Sequence, residues 1–127
     1  MIIHGVVHLK ALPGSPSNSL ELDEITKLAQ KDVENLYTAG VDGIIIENFG
    51  DVPFVKNDIS KRTLASFTSV VQKLEINSDL KVGINVLRND GIAALSIAEA
   101  TNSDFVRINV LNNVMMFTDQ GIIEGQA

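Results

Sequence analysis

Four short apolar runs, each ending in polar side chains, restrict the fold of this chain more than any other feature. They cover residues 2–9, 43–48, 82–90 and 105–110, and they are rich in Ile and Val. Helix-like segments lie between them. This alternation is typical of parallel strands joined by helical crossovers, whose carboxyl ends carry the binding site in β/α barrels and open α/β sheets. The sequence therefore predicts an α/β fold with the order β-α-β-α-β-α-β.

The predicted helices follow the apolar period of about 3.6 residues. Strands are expected at 2–9, 43–47, 82–86 and 105–110, and helices at 20–39, 60–75 and 91–100. Gly40 is suited to the residue just after the first helix, and Asp90 is suited to cap the third. The tail 111–127 is assigned to no element.

Composition excludes several classes of protein. The chain has 127 residues, a net charge of -6 and no Cys, so disulfides, thiolate metal sites and cysteine nucleophiles are excluded. The acidic balance argues against binding to nucleic acids or anionic membranes. No apolar run approaches the roughly 20 residues of a membrane span, and the first residues lack the pattern of a secretory signal. A cytoplasmic protein is expected.

Strand alternation places the polar side chains on one face of the predicted sheet. The opposite face is uniformly apolar and should meet the helices. The polar face is expected to gather the following side chains from the four strands: His8, Glu47, Asn85, Arg107 and Asn109. Because an unpaired buried polar group costs several kcal/mol, this interior must be internally paired, hydrated or occupied by a ligand.

Acidic and imidazole groups are the candidates for proton transfer and cation binding. Glu47 is a candidate acid or base, although an ion pair with Arg107 would explain it equally well. His8 is a candidate base or metal ligand, or a structural strand-end histidine. Asp51, together with Glu47 and Asp119, could offer oxygen ligands to a divalent cation, whereas an Asp in a turn commonly bonds its own backbone.

The densest polar cluster follows the third strand, at residues 85–90. Arg88 has the donor geometry to hold a phosphate or carboxylate, and Asn89 could orient the same ligand. Asp90 is better explained as a helix cap than as a catalyst. Arg107 could clamp an anion or pair with the interior carboxylate. No dinucleotide-binding, Walker, nucleophile-elbow or zinc-protease motif is present.

The same runs carry a family resemblance. The matching stretches are 5–16, 40–54, 83–90, 104–110 and 118–125, and the most specific are Glu-Asn-Phe-Gly-Asp at 47–51 and Asn-Val-Leu-Arg-Asn-Asp at 85–90. Over nearly its whole length the chain resembles the BtpA family, whose members are about twice as long and are similar to ribulose-phosphate-binding TIM barrels. A full barrel needs about 250 residues. The resemblance therefore implies that residues 1–127 form a single incomplete domain, the N-terminal half of a (β/α)8 barrel with four strands and three to four helices.

The resemblance implies a site for a small molecule, such as a phosphorylated or sugar-like metabolite, and an association with photosystem I biogenesis. From their positions at the strand ends, the expected catalytic residues of this site are Glu47 and His8. Its expected ligand-binding residues are Asn48, Asp51, Asn85, Arg88, Asn89, Arg107, Asn109 and Asp119. Two other functions stay open: a non-catalytic assembly or stability factor that binds a protein partner, and an inactive truncated family member. Homo-oligomers joined through the open sheet edges are also expected.

Overall fold

The computed structural model describes residues 1–127 and confirms the α/β fold. The elements are β1 (His4–His8), α1 (Leu22–Ala39), β2 (Gly43–Glu47), a short 3-10 turn (Phe49–Asp51), α2 (Lys61–Lys73), β3 (Lys81–Asn85), α3 (Gly91–Thr101), β4 (Phe105–Arg107), β5 (Val114–Phe117) and β6 (Gly121–Glu124). β1 to β4 form one parallel sheet in chain order, and β5 and β6 form a separate antiparallel pair.

The helices cover one face of the parallel sheet. Strand residues on that face, such as Val7, Ile44, Ile46 and Ile84, are fully buried against the three helices in one continuous core. The other face has no covering layer, and Val6 there is 40% exposed. Four parallel strands with helices on one side are consistent with half of a β/α barrel, in which the open face would be the interior.

Local sequence signals mark three of the helix ends. Asp90 caps α3, because its Oδ1 accepts a hydrogen bond of 2.9 Å from the Ala93 N–H. Ser60 caps α2 in the same way through Thr63. Gly40 follows α1 with φ at 85°, in the left-handed region that glycine adopts without strain. The predicted roles of Asp90 and Gly40 are confirmed.

β1 and β4 are shorter than predicted, whereas β2 has the predicted bounds and β3 is displaced by one residue. β4 ends at Arg107 instead of residue 110, because its neighbour β3 ends at Asn85 and offers no further backbone partners. The amino-terminal end of the open face is closed by His4, whose ring stacks on Phe105 with centroids 5.1 Å apart. Gly83 makes room for this stack, since a Cβ there would lie 2.3 Å from the Phe105 ring.

The tail that was assigned to no element forms the hairpin of β5 and β6. The register pairs Val114 with Glu124 and Phe117 with Gly121. Ile123 is buried beneath the hairpin, whereas Met116 and Ile122 point outward and are exposed. None of the three helices has the length and hydropathy needed to cross a bilayer.

Candidate functional site

The candidate site is a single row of polar residues across the end of the parallel sheet. Register pairs His8 with Glu47, Glu47 with Asn85, and Asn85 with Arg107. Neighbouring strands lie about 4.8 Å apart, so these residues stand side by side on the open face. We call His8, Glu47, Asn85 and Arg107 the polar row. The structure therefore brings together four of the residues that strand alternation predicted.

Glu47 is the buried centre of the polar row. Its side chain is 8% exposed, whereas the flanking His8 and Arg107 side chains are 49% and 55% exposed. His8 Nε2 lies 2.8 Å from Glu47 Oε1, and Arg107 Nη1 lies 3.8 Å from Glu47 Oε2. The predicted ion pair with Arg107 is thus present, and it is too long for a hydrogen bond. One carboxylate is held between an imidazole and a guanidinium, both of which reach solvent.

Asn85 is oriented by a relay of amide groups. Its Nδ2 donates to the Arg107 carbonyl oxygen at 2.8 Å and to Asn109 Oδ1 at 3.2 Å. Asn109 Nδ2 in turn donates to the Arg88 carbonyl oxygen at 2.9 Å. Each backbone carbonyl accepts only, so the relay fixes which end of each amide faces which neighbour. Asn109 thus contacts the polar row through Asn85 although it lies beyond the end of β4.

Two acceptors of the polar row have no hydrogen-bond partner. They are Glu47 Oε2 and Asn85 Oδ1, and both are shielded from solvent. A buried acceptor without a donor costs about 1–3 kcal/mol. The polar row therefore holds unused hydrogen-bonding capacity at two neighbouring positions.

Aromatic rings extend from the polar row along the loops. The His8 imidazole stacks on Phe49, with centroids 4.3 Å apart and planes 13° apart. Phe49 meets Phe54 edge-on at 6.4 Å, and Phe54 lies 4.8 Å from the Arg88 guanidinium carbon. These aromatic contacts were missed by the sequence reasoning. The available signal was Phe49 itself, which follows a strand-ending carboxylate by two positions in the Glu-Asn-Phe-Gly-Asp run.

Asn48 and Asp51 lie outside the polar row and tie the loops together. Asn48 bonds both backbone groups of Leu87, accepting from its N–H at 2.7 Å and donating to its oxygen at 3.3 Å. Asp51 accepts from the Leu12 N–H at 2.7 Å and from Asn48 Nδ2 at 3.0 Å. Burial raises the pKa of Asp51, and these hydrogen bonds oppose the rise. A neighbouring cavity of about 70 Å³ is lined by Asn48, Asp51, Ser15 and Thr63, among others.

Arg88 and Asn89 hold the hairpin. Arg88 Nε and Nη2 both donate to Asp119 Oδ2, at 3.1 and 2.5 Å, and the guanidinium carbon lies 5.2 Å from the Phe117 ring centroid. The hydrogen bond from Arg88 lowers the pKa of Asp119. Asn89 bonds both backbone groups of Val110 and donates to the Glu124 oxygen at 3.3 Å. The anion that Arg88 binds in this structure is therefore the Asp119 carboxylate of the same chain.

The predicted grouping of Glu47, Asp51 and Asp119 around a cation does not form. Glu47 lies in the polar row, Asp51 bonds Leu12, and Asp119 bonds Arg88. No group of three His, Cys, Asp or Glu side chains in residues 1–127 has the arrangement of a metal site. The polar row itself contains one carboxylate and one imidazole.

Comparisons with known proteins assign the chain to a family. The model described as the BtpA family matches residues 1–127. The chain is 50% identical over 123 residues to an uncharacterized protein of Pyrococcus horikoshii, covering 97% of the chain and 47% of the relative. It is 45% identical to the "Photosystem I biogenesis protein BtpA" of Synechocystis, covering 97% of the chain and 42% of that protein.

A more distant relative is an uncharacterized mitochondrial protein of Caenorhabditis elegans, 35% identical over 133 residues, with 99% of the chain and 47% of the relative covered. No solved structure matches the chain. The chain spans about half the length of the curated relatives it matches. The match of the family model over the whole chain and the identity to its relatives show that the chain belongs to the BtpA family.

Proposed function

We propose that the polar row is a binding site for a small phosphorylated or sugar-like metabolite, and that Glu47 and His8 are its proton-transfer groups. The observation that carries this proposal is the 2.8 Å approach of His8 Nε2 to Glu47 Oε1 beside an open face of the sheet. The carboxylate is buried and the imidazole is half exposed, so a ligand on the open face can reach the imidazole. Pairs of this kind exchange protons with bound substrates.

Arg107 is the proposed anion-binding residue. Its side chain is 55% exposed and lies one strand from Asn85, so its guanidinium can turn toward a ligand while the backbone stays in place. Arg88 is less suited to this role, because Asp119 already occupies its donors. The row thus supplies a proton-transfer pair at one end and an anion-binding cation at the other.

D-ribose 5-phosphate is a suitable probe, because it carries hydroxyl groups and a phosphate. Its titration into ¹⁵N-labelled protein should shift the amide signals of the polar row. Replacing the cation in Arg107→Gln should weaken binding by about tenfold or more, since charge-assisted hydrogen bonds to phosphate are lost. Glu47→Gln should weaken binding as well, and the matched control Glu99→Gln, at an exposed position of α3, should leave it unchanged. Absence of binding, or equal affinity in all four proteins, would refute the proposal.

A protein-binding role is the second candidate. A relative carries the name "Photosystem I biogenesis protein BtpA". The open face of the sheet, with Val6 40% exposed, and the outward Met116 of the hairpin give the chain apolar surface for such a partner. In this alternative the chain is a cytoplasmic half-barrel domain, and its free β1 and β4 edges pair with another chain or a second copy. Sedimentation of the purified chain over a range of concentrations tests pairing with a second copy. If the chain self-associates, its apparent molecular mass should rise with concentration.

A further inference from the structure

We infer that the ligand of the polar row carries two adjacent hydroxyl groups, which donate to Glu47 Oε2 and Asn85 Oδ1. This inference rests on the proposed function of the row as a small-molecule site and specifies what the ligand must present. Both atoms are buried acceptors without partners, and register places their residues side by side on β2 and β3. A vicinal diol supplies two donors from adjacent carbons, one for each acceptor.

The amide relay prevents Asn85 from presenting its donor instead. If the Asn85 amide turned over, its oxygen would face the Arg107 carbonyl oxygen and Asn109 Oδ1, which are both acceptors. Asn109 cannot turn over to compensate, because its Nδ2 donates to the Arg88 carbonyl oxygen. Asn85 Oδ1 is therefore held as an acceptor on the strand next to Glu47, and these two acceptors disfavour a ligand group that is itself an acceptor.

The charges around Glu47 favour an uncharged donor over a cation. Arg107 Nη1 is 3.8 Å from Oε2 and His8 Nε2 is 2.8 Å from Oε1, so the carboxylate already has basic groups on both sides. An ammonium group would have to compete with the guanidinium for the same carboxylate oxygen. A divalent cation would lack the further carboxylates that it prefers, since no three-ligand group exists. Hydroxyl groups satisfy both acceptors without adding charge.

Arg107 is the movable cover of this diol site. At 3.8 Å its guanidinium does not donate to Oε2, and its exposed side chain can swing away from the row. The half-exposed ring of Phe49, stacked on His8, then offers an apolar surface to the carbon skeleton of the ligand. A diol with an apolar ring face fits both features.

A matched pair of probes tests the diol directly. D-ribose 5-phosphate has adjacent hydroxyls at carbons 2 and 3, and 2-deoxy-D-ribose 5-phosphate lacks one of them while keeping the phosphate. The wild-type chain should bind the deoxy compound about tenfold more weakly, the effect of losing a hydrogen bond to a charged or buried acceptor. Asn85→Leu should bind both compounds with similar affinity, and the exposed control Asn35→Leu should discriminate as the wild type does.

The outcomes separate this inference from the proposed function. Equal affinity of the wild type for both compounds, with Glu47→Gln still weakening each, would overturn the diol and leave the small-molecule site standing. Discrimination that persists in Asn85→Leu would also overturn the diol. Failure of both compounds to bind would overturn both proposals. If Asn85→Leu does not fold, Asn109→Ala replaces it, because loss of the relay frees the Asn85 amide and should reduce the discrimination.

Discussion

Asn48 should be among the most important side chains for the stability of this fold. It is 1% exposed and is the one side chain that joins the loop after β2 to the loop after β3 through both backbone groups of Leu87. It also donates to Asp51, which in turn bonds the loop after β1 through Leu12. Removing the Asn48 amide therefore loosens three loops at the end of the sheet that carries the polar row.

The expected cost of Asn48→Ala follows from these contacts. Three hydrogen bonds are lost, at about 1 kcal/mol each, and the Leu87 N–H is left buried without an acceptor. The adjoining cavity of about 70 Å³ has room for water, which can replace some of the lost bonds. We expect the free energy of unfolding to fall by about 2–4 kcal/mol, a large share of the stability of a small domain.

Urea denaturation followed by circular dichroism measures this change, and Asn35→Ala on the exposed surface of α1 is the matched control. The control should change the free energy of unfolding by about 0.5 kcal/mol or less. A loss below about 1 kcal/mol in Asn48→Ala would show that its hydrogen bonds do not hold the loops together.

Three further changes probe other parts of the molecule. Asp119→Asn should release the hairpin from Arg88 and increase hydrogen exchange across residues 110–127; unchanged exchange would contradict the anchoring role of this ion pair. Gly83→Ala should lower the melting temperature, because the new Cβ would lie 2.3 Å from Phe105, and an unchanged melting temperature would mean that the ring moves aside freely. Burial raises the pKa of Asp51 above 3.8, so the folded state holds this proton more tightly than the unfolded state does. The contribution of Asp51 to stability should therefore decline as the pH rises from 3.8 through the raised pKa. In urea denaturation, the free-energy advantage of the wild type over Asp51→Asn should therefore shrink over that interval. An advantage that grows with pH would contradict the raised pKa.

The polar row was predictable because its position depends on local geometry. Side chains alternate along a strand, so Glu47 and Asn85 had to share a face once the strands were recognised. The family match and the α/β fold agree with the same pattern. The cap at Asp90 and the turn at Gly40 were likewise readable, since both depend on neighbouring backbone groups alone.

The other candidate residues depend on contacts between distant parts of the chain. Arg88 was expected to hold an external anion, and it holds Asp119, which lies 31 positions away on a hairpin that no periodicity revealed. The hairpin had a signal, two apolar runs around Thr118 to Gly121, but its docking depends on Arg88 and Asn89. Asn48 bonds a residue 39 positions away.

The sequence alone therefore determined the alternation of helices and strands, the face on which the polar row stands and the helix-end roles of Asp90 and Gly40. Only the tertiary structure decided that Asp51 ties loops while Glu47 keeps an unpaired acceptor, and that His8 stacks on Phe49. The physical reason is that side-chain direction along a strand is set by neighbouring residues, whereas the partner of a polar atom is set by which distant loops reach it.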